Sequence, residues 1–95
     1  MTKALSSEQI NSFISDSKGW TVENDSLKKD FEFADFKSAM TFLVRVGFEA
    51  EAKGHHPEIF NVYNKVTIAL NTHDAGNKIT EKDTALAAAI DKIEK

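Results

Sequence analysis

Gly54-His55-His56-Pro57-Glu58-Ile59-Phe60-Asn61-Val62-Tyr63-Asn64 is where one structural pattern stops and another begins. Upstream of it apolar residues recur at helical spacing, and downstream they alternate. Glycine supplies the left-handed residue that ends a helix, and proline, which lacks an N–H, prevents continuation. A helix therefore closes at about Lys53 and a strand opens near Glu58. The same stretch concentrates imidazole: all three histidines fall between positions 55 and 73, and two are adjacent. Imidazole is the side chain whose unperturbed pKa lies near neutrality, so the cluster points to proton transfer or metal binding.

Working upstream, the spacing predicts a helix from Phe36 to Lys53. Asp35 is suited to cap it. Phe36, Ala39, Met40, Leu43, Val46, Gly47 and Ala50 form the expected core stripe. Before it, Phe31 and Phe33 alternate with Asp30 and Glu32, a period of two that fits a half-buried strand. Strands are expected over 20–23 and 27–33, joined by Asn24-Asp25-Ser26 as a hairpin turn. Ile10, Phe13 and Ile14 mark a first helix over Ser7–Asp16, capped by Ser6 or Ser7 and stopped at Lys18-Gly19.

Downstream, Val66, Ile68 and Leu70 alternate with Thr67 and Ala69, so a second hairpin is expected over 58–71. Asp74-Ala75-Gly76-Asn77 reads as a loop. Thr80 with Asp83 resembles a capping box, and a last helix over Glu81–Ile93 turns Leu86, Ala89, Ile90 and Ile93 inward. The order is α-β-β-α-β-β-α. It implies an α+β, two-layer domain over residues 1–95, with a four-stranded antiparallel sheet.

Composition narrows the function. The 95 residues suffice for one domain, and the 41% hydrophobic and 28% charged content is that of an ordinary globular domain. With no cysteine in the chain, disulfides and thiol catalysis are excluded. A net charge of −3 with scattered Lys and Arg argues against nucleic acid. No apolar run approaches the roughly 20 residues of a membrane span, and Met1 to Glu8 lacks a signal-peptide core. A cytoplasmic location is the expectation.

Three readings of the histidines stand side by side. They can decorate a helix C-terminus, where positive charge is favoured. Glu51, His55 and His73 can hold a metal, although no recognised ligand spacing is present. Or the imidazoles converge on a cleft and serve as acid and base, with Glu51 orienting one ring. No serine has a nucleophile-elbow context, which leaves proton-transfer chemistry such as dehydration or isomerisation. Trp20 reads as a core residue or as a flat surface for a planar heterocycle.

Glu51-x-x-x-His55-His56-Pro57, followed by Tyr63, His73 and Asp83, resembles the signature of the pterin-4a-carbinolamine dehydratases. The resemblance runs from about residue 5 to residue 93. It implies a four-stranded antiparallel sheet with helices on one face. It also implies removal of water from 4a-hydroxytetrahydropterin to give quinonoid dihydropterin, in the recycling of the tetrahydropterin. No metal or organic cofactor is implied. By the same resemblance His55, His56 and His73 are the catalytic set with Glu51 in support. Substrate binding falls to His55, His56, Pro57, Thr72, His73, Asp74, Ala75 and Trp20. A homodimer or homotetramer is implied, and some relatives act as dimerisation partners of other proteins. Where some members carry Arg before the motif's aspartate, this chain has Lys82, a point charge in place of a planar fork.

Overall fold

The computed structural model describes residues 3–93. The outermost two residues at each end of the expected 1–95 domain lie outside the described residues. The elements are α1 (Ser7–Asp16), β1 (Thr21–Glu23), β2 (Ser26–Glu32), α2 (Phe36–Lys53), β3 (Glu58–Val62), β4 (Lys65–Leu70) and α3 (Glu81–Ile93). A short 3-10 helix, His73–Ala75, lies between β4 and α3. The four strands form one antiparallel sheet in the order β1-β2-β4-β3, the α+β architecture expected from the sequence.

Local chemistry explains the turns. Asn24 and Asp25 both take positive φ, as a two-residue hairpin turn of the right twist requires. At the tip of the second hairpin Tyr63 has φ 53, a conformation bulky residues rarely adopt. It is held there by Asn61, whose carboxamide donates to the carbonyls of Tyr63 and Lys65. Asn64 ties the same tip to the end of β2, exchanging bonds with Phe33. The first helix spans Ser7–Asp16, as the spacing predicts; Ser17 closes its last turn, and Gly19 takes the positive φ.

The core lies between the sheet and the helix layer. Leu27 and Phe31 of β2 and Val66, Ile68 and Leu70 of β4 are buried against Ala39, Phe42 and Val46 of α2 and Leu86, Ala87 and Ile90 of α3. Burying each large apolar side chain stabilises the fold by about 1.5–3 kcal/mol. Phe42 is the hub of an aromatic cluster, with ring centroids 4.8 Å from Phe31 and 4.9 Å from Phe33.

Here the expected stripe of α2 is corrected. Ala39, Leu43, Val46 and Ala50 face inward as expected, but Phe42 replaces Phe36 and Met40 in the core. Phe36, Met40 and Gly47 are exposed. Phe31 of β2 and Phe33 just beyond its end decide this, since Phe42 packs on both rings.

Candidate active site

The end of α2 is built to aim two adjacent rings in different directions. Gly54 is left-handed at φ 61, and its N–H donates to the carbonyl of Glu51. The N–H of His55 reaches back to the carbonyl of Ala50 at 3.1 Å. This pair of bonds is a Schellman turn, which folds the chain back under the helix end. His55 is carried inward and is 8% exposed, while His56 stays outside.

Inside, Nε2 of His55 lies 2.5 Å from Oδ1 of Asp83, which is 0% exposed. Asp83 sits in the first turn of α3. Its other oxygen accepts from the Thr72 hydroxyl at 2.9 Å and from the backbone N–H of Thr80 at 2.8 Å. The expected capping box is thus present in modified form: Asp83 accepts from the Thr80 N–H, while the Thr80 hydroxyl accepts from Lys82 at 3.2 Å. Outside, Nε2 of His56 meets Glu51 at 3.0 Å, so the glutamate partners His56 and not His55. His73 opens the 3-10 helix, and its Nδ1 lies 3.1 Å from the Oδ1 of Asn77.

All three histidines line one recess of about 260 Å³, together with Gly54, Asn71, Thr72, Asp74 and Lys82. Other hollows are larger, and the one beside α1 and α3 shares His55 and Lys82 with the recess. One of about 700 Å³ is on the open sheet face and one of about 740 Å³ lies beside α1 and α3. The smaller recess alone gathers all three imidazoles, so chemistry rather than size marks it. Each ring has one nitrogen engaged by an oxygen acceptor and a second one to offer, which suits general acid–base work.

Not every expected residue is here. Trp20 does not line the recess. It is 2% exposed, its indole N–H donates to both carboxylate oxygens of Asp91 on α3, and its ring meets Phe31 edge-on. Lys29 also bonds Asp91, at 2.8 Å. The tryptophan is a core pin between the sheet and α3. Pro57 and Ala75 are half-buried and do not line the recess. Among the described residues, no group of three His, Asp or Glu is placed to hold a metal ion. The sequence reading missed Asn71 and Asn77. Asn77 carried one signal: it follows Gly76, and Asn tolerates the positive φ it adopts here.

These features define a class: a small α+β domain carrying an imidazole-lined recess fit for proton transfer. Residues 3–93 match the family described as Pterin 4 alpha carbinolamine dehydratase. The chain belongs to that family. It is 48% identical over 93 residues to an Opitutus terrae protein named "Putative pterin-4-alpha-carbinolamine dehydratase", covering 98% of this chain and 96% of that one. A protein of the same name from Solibacter usitatus is also 48% identical, with 98% and 97% covered. Among solved structures, a transcriptional coactivator/pterin dehydratase from Brucella melitensis superposes with a TM-score of 0.92 at 32% identity, over 97% of this chain and 99% of that one. A pterin dehydratase-like protein, described as a RuBisCO assembly factor in the alpha-carboxysome, superposes with a TM-score of 0.63 at 27% identity, over 78% and 84%.

Proposed function

We propose that the chain dehydrates 4a-hydroxytetrahydropterin by histidine acid–base catalysis, in tetrahydropterin recycling. The C4a–O bond breaks, the hydroxyl leaves as water, and the N5 proton departs as the C4a–N5 double bond forms. An acid must protonate the hydroxyl and a base must take the N5 proton. His55 and His73 carry these transfers, and His56, braced by Glu51, positions the pterin. Asp74 and Lys82 add polar contacts at the rim, and Thr72 contributes wall. The observation that carries this reading is the convergence of three imidazoles on one recess in a chain of this family.

The test is turnover of a 4a-hydroxytetrahydropterin by His55→Ala and His73→Ala, with folding checked by circular dichroism. Each variant is expected to lose about 10²–10⁴-fold in kcat, the usual size of acid–base assistance. Wild-type turnover in both variants rules the assignment out.

The reading includes a homodimer or homotetramer. Phe36, Met40, Val44 and Phe48 form an exposed apolar row along α2, at i, i+4 spacing, with Phe48 71% exposed. The edge strand β3 adds exposed Ile59 and Phe60 and an unpaired backbone rim. The same row favours a second reading, an interaction module without catalysis. Partner capture by a chain that shows no turnover is the outcome that selects it.

A further inference from the structure

Asp83 is the buried charged group that the acid–base scheme leaves unused. A carboxylate taken out of water needs partners on its oxygens. Asp83 has three, and each contact has a direction that can be worked out. The Thr80 backbone N–H can only donate, so Oδ2 accepts there. Thr72 gives its single hydroxyl proton to the same Oδ2. In the 2.6 Å contact between the Thr72 and Thr80 hydroxyls, Thr72 must therefore accept and Thr80 donate. The Thr80 oxygen in turn accepts from the Lys82 N–H. Every bond in the chain runs toward the carboxylate.

An ionised carboxylate accepts only. The proton in the 2.5 Å contact to His55 therefore resides on Nε2. In the neutral ring that leaves Nδ1 bare. Nδ1 has no hydrogen-bond partner among the described residues, and it is not one of their buried unpaired atoms. It is the nitrogen that His55 has left to offer, and His55 lines both the imidazole recess and the hollow beside α1 and α3.

We propose that Asp83, oriented by the hydroxyls of Thr72 and Thr80, is a positioning residue that fixes His55 as the Nε2–H tautomer with Nδ1 turned to the substrate. A second observation supports this. Thr72 occupies the N-cap position of the 3-10 helix, yet its side chain makes no capping bond there. It is 2% exposed and turned to Asp83 instead. Thr72, expected from the family resemblance to bind pterin, has its hydroxyl committed to the support of the ring. Thr80 and Asp83 also cap α3, so their loss alone would confound positioning with stability. Thr72 lies outside that cap and is the informative handle.

The kinetic part of this inference rests on the dehydratase reading; the spectroscopic part does not. The experiment compares wild type, Thr72→Val and Thr72→Ser, using long-range proton–nitrogen correlation spectra of ¹⁵N-histidine-labelled protein beside turnover. Wild-type His55 is expected to show a protonated Nε2 that exchanges slowly with water and a bare Nδ1. In Thr72→Val the Nε2 proton exchanges about tenfold faster and kcat falls about tenfold at nearly constant KM, the size expected when one bond to a carboxylate is lost. Thr72→Ser restores both. A wild-type ring protonated at Nδ1 when neutral overturns the proposal, whether or not the variants fold. So does a Thr72→Val protein that melts earlier but keeps the wild-type imidazole signal and kcat. If wild type shows no turnover, the dehydratase reading fails while the tautomer still stands or falls on the spectra.

Discussion

Gly54 shows how one residue's backbone sets up the site. Its left-handed conformation sends His55 under the end of α2 and leaves His56 outside, so two neighbours in sequence meet partners of different burial. At the other end of α2 Asp35 accepts from the backbone N–H of Ser38 at 2.7 Å. That bond holds its carboxyl below the ordinary value of 3.8. A carboxyl with a lowered folded pKa adds stability above its unfolded value, and that stability is lost as pH falls through the folded value. Asparagine caps equally well without titrating. Asp35→Asn should therefore flatten the decline in melting temperature below about pH 4, and superimposable melting profiles for the two proteins would contradict this. The cap, the glycine stop and the histidine cluster were all legible from residue types. The His55–Asp83 bond was not, because it joins positions 28 apart whose meeting depends on how α2 and α3 pack. The Trp20–Asp91 bond was hidden for the same reason: the ring suits either a core or a ligand, and its indole N–H donates to a carboxylate 71 positions away.

At the scale of elements, α2 is the instructive case. Its ends fall at Phe36 and Lys53, as the spacing predicts, but it carries two apolar rows, and periodicity does not say which one the sheet takes. The row containing Phe42 packs on Phe31 and Phe33, and the row containing Phe36 is left outside. This assignment predicts unequal costs. Phe42→Ala should destabilise by about 3–5 kcal/mol, as large-to-small changes in a packed core do. Phe36→Ala, at a site 49% exposed, should change monomer stability by less than about 1 kcal/mol. Denaturant melts of the two variants at low protein concentration check it, and equal losses would return Phe36 to the core. In α3 the inward positions Leu86 and Ile90 were legible from spacing, whereas buried Ala87 was not, since alanine contributes little to a hydrophobic pattern.

Across the whole molecule, hairpin signals gave the local strand pairs, but the placement of β4 beside β2 is a product of burial. Val66, Ile68 and Leu70 are almost wholly buried, which suits a central strand. Exposed Ile59 and Phe60 leave β3 at the edge. No helix of the described residues is long and apolar enough to cross a membrane. The exposed row of α2 then carries a prediction about assembly. Val44→Glu places a charge in the middle of that row and should lower the mass measured by light scattering, with circular dichroism unchanged. An unaltered mass would remove α2 from the interface. For the molecule as a whole the proposed activity is dehydration at the imidazole recess. Its most direct test follows the loss of a 4a-hydroxytetrahydropterin by stopped-flow absorbance, with and without the wild-type protein. Loss accelerated by about 10²-fold or more over the spontaneous rate is the predicted result, and identical rates in the two traces would contradict it.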